Sequence, residues 1–156
     1  MLVGLAPAKI APILFIRHNF SESQPSMDMS ATADRFAVVI DDESIILAGM
    51  EIMLDTWGYR VLAAEDVETV LARLPAGSAP DVILSDYRLR DGWSGISAIR
   101  AVREVCKAEV PAIILTGDTG PELMAAAKAE QVTILHKPVQ PNDLRRKIDA
   151  LLAGPG

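Results

Sequence analysis

The sequence is short of several residue types, and each shortage closes a class of function. A single cysteine, Cys106, stands among 156 residues, so no internal disulfide can form. Only 2 histidines accompany it, and the chain has no Cys/His cluster of the kind that holds zinc. Cys106 falls on the apolar side of a helix-like stretch, where a buried structural thiol is expected. Basic residues are outnumbered, 15 against 21 acidic ones, giving a formal net charge of -6 and a pI near 4.9. That balance argues against a nucleic-acid grip driven by phosphate neutralisation. Met1 to Phe20 is apolar, but Pro7, Lys9 and Pro12 interrupt it before any run of about 18 residues, the scale of a membrane span. It also lacks the charged start and unbroken apolar core of a secretory signal. A cytoplasmic protein, with neither membrane nor nucleic acid as partner, is the expectation.

What is present describes a globular chain. Hydrophobic residues make up 50% and charged residues 23%, enough apolar material to bury a core in one domain. Ser21 to Asp34 is rich in Ser, Met, Asp and small residues and reads as a linker. Residues 1 to 34 are therefore expected to be a disordered extension, or sequence upstream of the true start. Residues 35 to 153 are expected to form the domain, with no output domain expected after it.

Within that domain, short apolar runs alternate with helical patterns. Phe36 to Ile40, Tyr59 to Ala64, Val82 to Leu84, Pro111 to Leu115 and Val132 to Leu135 read as strands. Ile45, Ile46, Gly49, Met50, Ile52, Met53, Leu54 and Trp57 recur at helical spacing, and Gly58 stops that helix. Asp66 caps a second helix and Ser94 a third, with Ile96, Ile99, Val102 and Val105 facing inward. Pro121 opens a fourth helix, and Asn142 or Asp143 caps a fifth. Five strands alternating with five helices predict a doubly wound α/β fold, a flavodoxin-like parallel sheet of order 2-1-3-4-5.

In such a sheet, chemistry gathers where the strands end. The first strand ends in Asp41 and Asp42, the third in Asp86, the fourth in Thr116 and Gly117, and the fifth reaches Lys137. Carboxylates crowded into a small volume repel one another unless a cation stands between them. Oxygen-only ligands with room for water suit Mg2+. A metal and a lysine can neutralise a phosphoryl group, a hydroxyl and a backbone amide near Gly117 can bond its oxygens, and one carboxylate can attack phosphorus. Asp86 is the best placed attacker, with Asp41 and Asp42 on the metal. A side chain at position 117 would crowd an incoming donor.

Taken together, Asp41-Asp42, Asp86, Thr116-Gly117 and Lys137-Pro138 make residues 35 to 152 resemble a response-regulator receiver domain of two-component signalling. The stretches from Asp86 to Gly92 and from Leu135 to Val139 are similar to receivers at the C-terminus of hybrid sensor kinases. The resemblance implies that Asp86 accepts a phosphoryl group from a histidine kinase or histidine phosphotransfer protein. It implies Mg2+ bound by Asp42, Asp86 and the backbone carbonyl of Arg88, with Asp41 holding it through water. It also implies a cis Lys137-Pro138 bond, and an output surface, open to homodimerisation, on the fourth helix, fifth strand and fifth helix. One departure stands out. Receivers carry Tyr or Phe three residues before the lysine, whereas this chain has Ile134.

Arg88 and Asp118, each two residues past a site residue, are expected to flank the mouth, pair by charge and prolong the life of an aspartyl phosphate. A phosphatase of the haloacid dehalogenase type needs a second Asp two residues after its nucleophile. Arg88 and Glu43 occupy those positions, and neither acidic cluster fits. A degenerate receiver that binds its partner without phosphorylation is the remaining alternative.

Overall fold

A computed structural model describes residues 35–154, so the expectation for residues 1 to 34 lies outside the described residues. The apolar runs form β1 (Phe36–Ile40), β2 (Arg60–Ala64), β3 (Val82–Asp86), β4 (Ala112–Thr116) and β5 (Thr133–His136). Between and after them lie α1 (Ser44–Thr56), α2 (Val67–Arg73), α3 (Gly95–Cys106), α4 (Pro121–Ala129) and α5 (Pro141–Ala153). All strand pairings are parallel, in the order β2-β1-β3-β4-β5, as the alternation of runs predicts.

Alternation along the strands divides the core between the two faces of the sheet. Val38, Ile40, Ile83 and Ile114 pack with Val67 and Val70 of α2 and Ile96, Ile99 and Val102 of α3. Ala37, Val39, Leu84, Ile113 and Leu115 pack on the other face with Met50 and Leu54 of α1 and Leu144 and Ile148 of α5. Ile83, Leu84, Ile113 and Ile114 are fully buried. Each such side chain contributes about 1.5–3 kcal/mol through removal from water. The sheet centre is thus a rigid base for whatever its strands carry at their ends.

Helix starts follow the capping chemistry in two cases and depart from it in a third. The Asp66 carboxylate accepts from the Thr69 amide at 2.7 Å. Ser94 accepts from the Ser97 amide at 3.1 Å, and Ser97 Oγ accepts from the Ser94 amide at 2.9 Å, a closed capping box. Helix α5 begins at Pro141 after Gln140, with no side-chain cap, so Asn142 and Asp143 sit inside its first turn rather than before it. The fixed φ of proline suits the first helical position, and that preference overrides the capping signal.

The apolar run of α1 resolves into two faces, and the inward assignment of Val105 is corrected. Ile45 and Ile52 are 84% and 70% exposed. The run is apolar almost all round, and the helix turns Leu47, Met50 and Leu54 to the sheet, which puts Ile45 and Ile52 on the opposite side. Val105 is 56% exposed, because repeated steps of three residues drift about 60° each around a helix. Ile96, Ile99 and Val102 use up the buried arc. Cys106 is half-buried against the core, and burial pushes its thiol pKa up.

The start of α3 presses directly on β3. A Cβ on Gly95 would lie 2.4 Å from the Asp86 carbonyl oxygen and 2.5 Å from Ile114 Cδ1. The Gly95 amide also donates to the Tyr87 carbonyl at 2.7 Å. Gly95→Ala is expected to lower the unfolding free energy by about 1–3 kcal/mol through overpacking. Urea unfolding of wild type and variant measures this, and an unchanged midpoint would count against the packing described.

Candidate functional site

Because every strand is parallel, all their carboxyl ends emerge on one edge. The register pairs Ile40 with Ser85, Asp86 with Leu115, and Thr116 with His136, so the residues that end or follow these strands lie side by side. Asp41 and Asp42 follow β1, Asp86 ends β3, Thr116 ends β4 and Lys137 follows β5. One oxygen from each of Asp41, Asp42 and Asp86 falls within 4.8 Å of the others. Among the described residues, this is the one group of acids, histidines or cysteines close enough to share an ion.

Lys137 reaches this cluster from the far strand. Its Nζ lies 3.3 Å from Asp86 Oδ1 and 4.0 Å from Asp41 Oδ2. The Lys137 amide donates to the Thr116 carbonyl at 2.8 Å, which ties the two strand ends together. The Lys137-Pro138 bond is cis, as the resemblance implies. Thr116 is buried, and its Oγ1 accepts from the Asp118 amide at 2.9 Å. A Cβ on Gly117 would meet nothing within 4 Å, so the glycine borders free space beside the cluster.

Asp41 carries the main electrostatic burden. It is 2% exposed, and burial is the largest cause pushing its pKa from 3.8 up to about 6. The Glu43 amide, donating to Asp41 Oδ1 at 2.9 Å, opposes that push. Asp86 adds to it by like-charge repulsion and Lys137 lessens it. A desolvated carboxylate facing other carboxylates is what a divalent ion relieves. The all-oxygen donor set fits Mg2+ better than a softer ion.

Arg88 and Asp118 meet as expected. Arg88 Nε lies 2.9 Å and Nη2 2.8 Å from Asp118 Oδ2, a fork contact joining the β3–α3 and β4–α4 loops. The Arg88 side chain is thus engaged by Asp118, and its main chain bridges Ser94 across the β3–α3 turn.

Sequence reasoning missed one cation. Arg90 Nη2 donates to the Asp42 carbonyl at 3.0 Å, its Nε lies 3.6 Å from Asp42 Oδ2, and its Nη1 lies 3.8 Å from Glu65 Oε1. Asp91 and Gly92 both take positive φ, 60° and 80°, and this turn folds Arg90 back over the site. The Asp-Gly dipeptide was the available signal, since it marks such turns.

The profile of the response regulator receiver domain matches residues 37–149. The chain belongs to that family. This receiver domain is 28% identical over 117 residues to the phyllosphere-induced regulator PhyR of Methylorubrum extorquens, covering 74% of this chain and 42% of that one. It is 31% identical over 129 residues to the transcriptional regulatory protein PrrA of Mycobacterium tuberculosis, covering 81% and 53%. The chain spans about half the length of the curated relatives it matches. Among solved structures, chemotaxis protein CheY4 of Vibrio cholerae superposes with a TM-score of 0.66 at 30% identity, covering 76% of this chain and 98% of that one. A receiver domain protein from Clostridium thermocellum gives 0.67 at 28%, covering 76% and 94%. No helix of the described residues is long and apolar enough to cross a membrane.

The Asp41 environment has a pH signature. Its carboxyl binds a proton more tightly in the folded than in the unfolded chain, so the folded state holds more protons between pH 3.8 and about 6. Stability contributed by that proton is present at low pH and is lost as pH rises through this window. In metal-free buffer, Asp41→Asn should become more stable than wild type by up to about 1–3 kcal/mol once the pH passes the window. Thermal melts of both proteins at several pH values measure the gap. A gap that stays flat would contradict the burial effect.

Proposed function

We propose that this receiver domain is a phosphorylation-controlled switch in which Asp86 accepts a phosphoryl group from a histidine kinase or histidine phosphotransfer protein. The observation that carries the reading is the Asp86 carboxylate held at the end of β3, 3.3 Å from the Lys137 ammonium and inside an acidic cluster. The Tyr87 amide donates to Asp86 Oδ1 at 2.8 Å, which fixes the carboxylate's rotation and leaves its other oxygen to attack. That oxygen forms a bond to phosphorus while the bond from phosphorus to the donor imidazole nitrogen breaks.

In this reading Asp42, Asp86 and the Arg88 carbonyl would hold Mg2+, with Asp41 acting through water, and the ion would offset negative charge on the phosphoryl oxygens and the carboxylates. Lys137 pairs with one phosphoryl oxygen. The Thr116 hydroxyl, turning away from the Asp118 amide, bonds another, and the Gly117 amide adds a donor. Nothing is turned over in the ordinary sense; the product is the modified domain itself. The added charge of about -2 shifts the population toward an active arrangement of the β4–α4 loop. Output passes through the face of α4, β5 and α5, to a target or to a second copy. Ile134, half-buried against the core where other receivers place an aromatic, suggests that this chain transmits the change by repacking rather than by a swinging ring.

Incubation with a small phosphodonor and Mg2+, followed by intact-mass spectrometry, tests the assignment. Wild type should gain one phosphoryl group and Asp86→Asn none. Labelling of the variant, or none of the wild type, would overturn it. The Arg88–Asp118 pair guards the mouth against the attacking water, so a long-lived aspartyl phosphate is expected. Its lifetime should shorten about two- to fivefold in Arg88→Ala or Asp118→Ala, the scale of one exposed ion pair. An unchanged decay rate in both variants would remove the pair from the kinetics.

A further inference from the structure

The acidic cluster already has two cations of its own, and they divide it between them. Lys137 stands against Asp86 and Asp41, at 3.3 and 4.0 Å. Arg90 stands against Asp42, with Nε 3.6 Å from Oδ2. Lys137 belongs to the phosphoryl chemistry above, but nothing in that chemistry uses Arg90. We infer that Arg90 is a resident competitor for the divalent ion: it occupies the charge of Asp42 and thereby sets the metal concentration at which the site loads. This rests on the reading of Asp41, Asp42 and Asp86 as the metal site.

Two effects of an arginine in this place oppose each other, and the geometry decides between them. Arg90 could help the metal by orienting Asp42, or hinder it by presenting a like charge. Its good hydrogen bond runs to the Asp42 main-chain carbonyl at 3.0 Å, whereas its approach to the carboxylate, at 3.6 Å, is outside hydrogen-bond range. The loop does not depend on that bond. The Asp41 amide donates to the Ala64 carbonyl at 3.2 Å, and the Glu43 amide to Asp41 Oδ1 at 2.9 Å. Removing the guanidinium therefore leaves the ligand loop standing and takes away its charge together with one exposed hydrogen bond.

The competitor is also well mounted. The Asp91-Gly92 turn is closed by the Trp93 amide on the Arg90 carbonyl at 3.1 Å and the Leu89 amide on the Trp93 carbonyl at 3.2 Å. Glu65, whose Oε1 lies 3.8 Å from Arg90 Nη1, offers the guanidinium a second resting place when Asp42 is taken. The Arg90 side chain is 62% exposed, so this exchange needs no opening of the core.

Isothermal titration of Mg2+ into the wild-type chain and into Arg90→Gln and Arg90→Lys tests the inference. Arg90→Gln should bind Mg2+ about three- to tenfold more tightly, the scale of repulsion between a single and a double charge about 6 Å apart in screened water. Added NaCl should shrink that advantage, and Arg90→Lys, which keeps the charge, should stay near wild type. Metal-free melts establish that each variant is folded. Equal or weaker binding by folded Arg90→Gln, with wild type binding normally, would overturn the competitor role alone. A wild-type chain that takes up no Mg2+ would overturn the metal site and the competitor with it.

Discussion

Like-charge repulsion at the end of a parallel sheet is the constraint from which the rest of this molecule follows. Three carboxylates whose oxygens come within 4.8 Å of one another would push apart on a compliant scaffold. Here they cannot, because β1 and β3, the strands that lead into all three, emerge from a close-packed centre in which Ile40, Ile83, Leu84 and Ile114 are fully buried. The core thus holds a charge arrangement that the acids would not adopt alone. Burial raises the Asp41 pKa and repulsion from Asp86 adds to it, while Lys137 lessens it; Arg90 lies beside Asp42. In the proposed reading, a divalent ion or a transferred phosphoryl group would enter a site whose electrostatics are already under tension.

The family places that arrangement among proteins named as regulators, and the matching region runs from within β1 to within α5. The chain keeps the acidic pair, the strand-end aspartate, the threonine and the lysine, and it lacks the aromatic before the lysine. Ile134 is half-buried in the cluster that also takes in Tyr87 and Ala126. Motion of the β4–α4 loop would therefore be felt through side-chain packing that connects the end of β3, α4 and β5.

Much of this was legible in the residues, for a definite reason. Strand-end positions are set by where an apolar run stops, and Asp41, Asp86 and Thr116 each stand at such a stop. Parallel pairing then brings them to one edge without any further information. Helix faces were harder to read. In α1 the apolar run surrounds the helix, so periodicity could not tell Met50 and Leu54, which are buried, from Ile45 and Ile52, which are not. Arg90 was hidden because its position depends on two consecutive residues of positive φ, a local event that no hydrophobic pattern encodes. Gly95 was hidden too, since its need arises where the start of a helix folds back against the end of β3 and Ile114 of β4, a packing contact that no local pattern encodes.

The site is divided unequally between strong and weak parts of the sheet. Its acids stand on interior strands with neighbours on both sides, whereas its lysine follows β5, a four-residue edge strand without a fully buried side chain. Edge segments with little buried surface open locally at a small fraction of the global unfolding free energy. Fraying of that margin would withdraw the ammonium while leaving the carboxylates in position, briefly turning a balanced pocket into a purely anionic one.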